Sequence, residues 1–179
     1  MELEIFQDIP DSLKERTGVT GILSWEQWDE DGNLITKGFT KNLVTNTGDQ
    51  YYAGRAALSS GLPKQVTGWR LGTGSTTPAK AGAGAAIVTY LAGSNKANDG
   101  GFPTVVAGVV TWKRTYAPGE ATSGSPITEA VLNTDTIAND NSATATAAET
   151  IARALISGVA SKAAGDTLTL TWTHTILGA

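Results

Sequence analysis

From Thr167 to Ile176 the chain alternates without a break. Leu168, Leu170, Trp172, His174 and Ile176 fall on one side, and Thr167, Thr169, Thr171, Thr173 and Thr175 on the other. Period two over ten residues specifies a β-strand with one apolar and one hydroxyl-bearing face. Gly165-Asp166 supplies the turn in front of it.

The rest of the chain reads in the same idiom. Val19 to Trp28 places Ile22, Ser24, Glu26 and Trp28 on one face and Leu23, Trp25 and Gln27 on the other. Asp31-Gly32 is a hairpin turn signal, because glycine accepts a positive φ there, and the chain returns through Leu34 to Val44. Val66–Leu71, Val105–Tyr116 and Ile127–Asn133 are expected strands, and Ile151–Val159 is strand-like although its alanines also permit a helix. Tyr51, Tyr52, Arg55, Ala56 and Leu58 have helical spacing, with Asn46 or Thr47 near the cap and Ser59-Ser60-Gly61 as the stop. Gly72–Pro78, Asn95–Gly101 and Asp135–Glu149 are expected loops. Six to eight strands at turn-punctuated spacing, one helix and no βαβ rhythm predict a mainly β fold, a β-sandwich or jelly-roll-like domain. That domain is expected over residues 18–179.

Residues 1–17 are expected to form an N-terminal arm. Asp11–Arg16, after Pro10, reads as one short helical turn with too few apolar residues to pack alone. Two readings stand side by side: a tail lying on its own domain, or an arm that docks on a neighbouring subunit.

Composition narrows the function classes. The 179 residues contain no cysteine, which removes disulfides, thiolate metal sites and cysteine nucleophiles. A net charge of -4 with no basic stripe argues against a nucleic-acid partner. No apolar run approaches ~20 residues, so no membrane span is expected. Met1-Glu2-Leu3-Glu4 is acidic where a secretory signal would be basic, so the chain is expected to stay where it is made or leave by lysis.

Catalytic and ligand motifs are incomplete. The single histidine, His174, lies in phase with apolar neighbours and has no local nucleophile or carboxylate, which favours a core or subunit-contact role. Gly72-Thr73-Gly74 starts like a phosphate loop but lacks the lysine that would neutralise phosphate. Asp29-x-Asp31-x-Asn33 starts like a calcium loop but lacks the bidentate glutamate; a solvated hairpin tip is the better reading, with a weak cation site as the alternative. The threonine row is a single rank, too little for an ice- or sugar-binding surface. The chain is therefore not expected to be an enzyme or to carry a cofactor or metal.

Five tryptophans are high for this length. Trp25 and Trp28 lie on opposite faces of one strand, so only one can enter a single hydrophobic layer. The other must meet the helix, the arm or another subunit. Phe6, Leu13, Trp25, Trp28 and Trp69 are the candidate interface residues.

Trp28-Asp-Glu-Asp-Gly-Asn-Leu-Ile, Lys41-Asn-Leu-Val-Thr-Asn-Thr-Gly48 and Leu71-Gly-Thr-Gly-Ser-Thr-Thr-Pro78 together resemble a family of small β-rich virion proteins of tailed bacteriophages. Thr111-Trp-Lys-Arg-Thr-Tyr, Ile127-Thr-Glu-Ala-Val-Leu-Asn133 and Asp166-Thr-Leu-Thr-Leu-Thr-Trp172 extend the resemblance over about residues 19–177. It implies an accessory protein of the particle: a capsid decoration (cement) protein, a head fibre, or a tail or collar component. It further implies self-association as a trimer or ring, docking on major capsid or tail proteins, synthesis in the bacterial host cytoplasm and residence in the virion. A carbohydrate- or surface-binding module, gripping a glycan through exposed tryptophan, is the reading from another class.

Overall fold

The computed structural model describes residues 18–134 and 146–177, with β1 (Gly18–Trp28), β2 (Leu34–Lys41), β3 (Leu43–Val44), α1 (Asn46–Ala57) and β4 (Gly68–Gly72) in its first half. The second half holds β5 (Lys96–Ala97), β6 (Thr104–Val106), β7 (Val109–Tyr116), β8 (Glu129–Asn133), β9 (Thr150–Leu155) and β10 (Thr167–Leu177). They form two five-stranded sheets, in the orders β2-β1-β10-β7-β6 and β3-β9-β8-β4-β5. The paired strands are antiparallel throughout. The fold is mainly β, a β-sandwich, as the strand and turn pattern predicts.

The alternation of β10 and β1 decides the sandwich. In register, Leu23 faces Trp172 and Trp25 faces Leu170, while Trp172 also faces Trp112 on β7. These side chains share one core with Trp69, Leu71, Ala130, Leu132 and Ala154 of the second sheet. Trp69 and Trp172 meet there with ring centres 5.5 Å apart.

The two sheets differ in what covers their outer sides. Val131 of β8 packs against Ile87, and Glu129 and Arg153 are wholly buried, so residues 73–90 roof the second sheet. Helix α1 lies against β9; a Cβ at Gly48 would sit 2.2 Å from the Ile151 carbonyl oxygen, so only glycine permits this approach. The first sheet has no such roof among the described residues.

Several local expectations need correction. Val105–Tyr116 is not one strand but the hairpin β6–β7, turned at Ala107 (φ 47°) and Gly108 (φ 76°). Two consecutive positive φ values match the twist of paired strands; Ala-Gly simply carries a weak turn signal. The turn puts Val106 opposite Val109, on the outer side. The helix cap is Thr45, one residue before the expected pair: its hydroxyl accepts from Gly48 N at 3.0 Å. The expected return strand to Val44 breaks at Asn42, after which β3 joins the other sheet. Asn95–Gly101 is not a free loop. Asn95 is buried, Lys96–Ala97 pairs with β4, and Asn98 Oδ1 accepts from the Trp69 indole at 2.8 Å. Residues 1–17 and 135–145, including the arm and most of one expected loop, lie outside the described residues.

Candidate interaction surface

The outward positions of the first sheet build a broad hydroxyl-rich face. β10 runs through its centre and contributes Thr169, Thr171, Thr173 and Thr175. The register lines up Ser24, Thr171 and Lys113 in one rank, Glu26, Thr169 and Thr115 in the next, and Ile22, Thr173 and Thr111 in a third. A fourth rank joins Thr20, Thr175, Val109 and Val106. The threonine row is therefore flanked on both sides, which the sequence does not reveal, because the flanking residues come from strands far away in the chain.

Hydroxyls on this face are partly tied to their own sheet. Ser24 Oγ donates to the Thr171 carbonyl at 3.3 Å, and Thr115 and Thr169 hydroxyls lie 3.4 Å apart. Threonine is stiff at χ1, so such a face loses little side-chain freedom on docking.

β2 adds the apolar element. Ile35, Lys37, Phe39 and Lys41 point outward along this edge strand, and Phe39 is 74% exposed. Phe39 stands opposite Ser24, beside a shallow depression lined by Glu26, Lys37, Lys113 and Thr169. The outward charges of the sheet are three lysines and one glutamate, a basic face on a chain whose net charge is -4.

Of the predicted contact tryptophans, Trp25 lines this depression and Trp69 lies elsewhere. Trp69 is wholly buried in the core, so its ring is not presented to a neighbour. Trp25 is 4% exposed and lies under Gly38, where an added Cβ would come within 2.5 Å of the indole. Its partner on the opposite side of β1, Trp28, is half-buried and is the one candidate among the described residues that is not buried. Phe6 and Leu13 lie outside the described residues. Phe39 is the exposed aromatic residue on this face that the sequence pattern does not single out. Its signal was the Ile-x-Lys-x-Phe-x-Lys alternation, which period-two reading alone leaves ambiguous as to which face the second sheet covers.

The incomplete motifs have structural roles. His174 is buried at the end of the core, its Nδ1 2.5 Å from the Tyr52 hydroxyl and its Nε2 3.2 Å from Asn42 Nδ2. With Asn42 donating to Nε2, the ring proton is assigned to Nδ1. Burial pushes its pKa down to about 3, so the ring is neutral. A Cβ at Gly21 would collide with both Asn42 and His174, so the glycine makes room for this pair.

The Gly72–Gly74 loop is filled from inside the chain. Glu129 Oε1 accepts from Gly74 N at 3.1 Å and Thr89 N at 2.8 Å, and Val88 N adds a further bond. Arg153 closes the other side, donating to Glu129 Oε2 at 2.6 Å and to the carbonyls of Thr76 and Gly84. The amides that a phosphate would need are thus bound to a carboxylate. Asp29 likewise spends its carboxylate on the turn, accepting from Asp31 N, Asn33 N and Asn33 Nδ2. Those bonds hold its pKa below the usual carboxylate value, Asn33 being the main cause. Among the described residues no cluster of three or more His, Asp or Glu is placed to hold a metal.

No family model matches the chain, and neither curated proteins nor solved structures give a match.

Proposed function

We propose that this chain is a structural component of a tailed-bacteriophage particle, a capsid decoration protein that self-associates and docks on the shell. A tail, collar or head-fibre position is the alternative placement within the same reading. The observation that carries it is the asymmetry of the sandwich: one sheet is roofed by its own chain, and the other presents a stiff threonine face edged by exposed Phe39. The motif resemblance supplies the particle context.

Area sharpens the mechanism. Four strand spacings of ~4.8 Å and six residues of ~3.4 Å give a face of roughly 400 Å² in projection. A standard interface buries ~800 Å² per partner. Repetition of such a face on a symmetric shell would let modest single contacts add up. The carbohydrate reading would rest on Trp28, because Trp25, Trp69, Trp112 and Trp172 are buried.

The test is sedimentation of purified chain with capsids and tails of the phage that encodes it, beside a native mass measurement. The expected result is an oligomer that co-sediments with shells, and loses binding in Thr171→Arg without loss of folding. A monomer that binds neither shells nor tails would overturn the reading.

A further inference from the structure

We infer that the edge of β2 is a strand-addition site whose occupant is residues Glu4–Asp8 of a second copy of this chain. The inference rests on the self-association half of the proposed function and not on the particle context.

Among the described residues, β2 lies at the end of its sheet and pairs only with β1. Its outer row reads Lys37, Phe39, Lys41, all exposed. An open strand edge recruits another strand unless something opposes it, and lysine is a common deterrent. Two β2 edges brought together around Phe39 would set Lys37 directly against Lys41, like charge on like charge. A second β2 is therefore the wrong partner.

The arm has the complementary row. In antiparallel register Glu4 faces Lys41, Phe6 faces Phe39 and Asp8 faces Lys37, all on one side of the sheet. Two opposite-charge pairs then flank an aromatic pair, the cross-strand combinations that stabilise sheets. Residues 1–17 hold five acidic and two basic residues, so the arm carries most of the chain's net negative charge towards a basic face.

With the helical turn expected for Asp11–Arg16, reach favours the second copy. In this register Asp8 lies level with Lys37, which pairs with Glu26, eight residues along β1 from Gly18. Asp8 and Gly18 of one chain would then be about 29 Å apart, counting two strand spacings sideways. Ten fully extended steps span at most ~34 Å, and the helical turn predicted for Asp11–Arg16 shortens that to about 23 Å. A neighbouring chain carries no such tether.

Because the chain has no cysteine, crosslinking can be made site-specific. Phe6→Cys chains mixed with Phe39→Cys chains under mild oxidation should give an interchain 6–39 disulfide. Phe6→Cys mixed with Leu58→Cys, exposed at the end of α1, should give none. Reversing the charges (Lys37→Glu with Lys41→Glu) should weaken self-association at least about tenfold. Adding Glu4→Lys and Asp8→Lys to that variant should restore it. Self-association indifferent to both reversals, without the 6–39 crosslink, overturns the arm site and leaves self-association standing. A crosslink that closes only within a Phe6→Cys, Phe39→Cys chain overturns the assignment to a second copy. A monomeric wild-type chain sinks both the site and the self-association beneath it.

Discussion

His174 shows how one buried residue sets a pH limit. Its pKa falls from 6.5 in the unfolded chain to about 3 in the fold, through burial among Tyr52, Trp112 and Trp172. The unfolded chain therefore binds a proton that the folded chain refuses. The stabilising difference is intact above pH 6.5 and drains as pH falls towards 3, by about 1.4 kcal/mol per unit at most. Carboxylates such as Asp29 and Glu120, whose pKa values are also lowered, add their own acid sensitivity below their range. A comparison with His174→Gln isolates the imidazole. The stability gap between wild type and variant, from urea unfolding, should shrink by about 1 kcal/mol per unit between pH 6 and pH 4. A gap that stays level would mean the ring is not held neutral. At the same scale, Arg153 and Glu129 are both fully buried, so removing one leaves the other's charge without its counter-ion. Arg153→Met should cost about 3–5 kcal/mol and lower Tm by on the order of 10 °C, read by calorimetry.

Turns and caps decide the elements, and here the sequence was only partly legible. β10 and the β1–β2 hairpin are plain, because strict alternation and Asp-Gly are unambiguous local signals. The β6–β7 turn was hidden by Ala107, an alanine held at φ 47°. Asparagine tolerates this left-handed conformation better, and Asn-Gly is the preferred pair for such a hairpin. Ala107→Asn should therefore stabilise the fold by roughly 0.5–1 kcal/mol in urea titration; a loss would show that the alanine methyl packs usefully. Thr45, Asn46 and Thr47 are all capping types, so local pattern could not choose among them. The choice falls on Thr45 through a distant contact, its hydroxyl reaching the Thr150 carbonyl on β9. The interaction surface was legible to the same extent. Period two sorted Trp25 from Trp28 correctly into opposite faces. Which face is covered depends on the second sheet, so the sequence did not show that Phe39 is exposed and Trp69 buried.

Charge divides the whole molecule into an acidic arm and a domain with a basic outer face. Five acidic and two basic residues in 1–17 leave the remainder of the chain close to neutral. Among the described residues, the main core cluster runs from Leu23 to Trp172. Deleting residues 1–17 should then leave the unfolding midpoint within a few degrees of wild type while removing self-association. Salt separates this from an apolar contact. Raising ionic strength from ~0.01 M to ~1 M shortens the screening length from ~30 Å to ~3 Å. Arm-to-edge ion pairs on the surface should weaken across that range, whereas burial of Phe39 against another apolar surface should hold or tighten. Sedimentation equilibrium of the full chain at both limits reads the difference. Association that strengthens with salt and survives the deletion would place the contact on the threonine face itself, with the sheet rather than its edge as the element that builds the assembly.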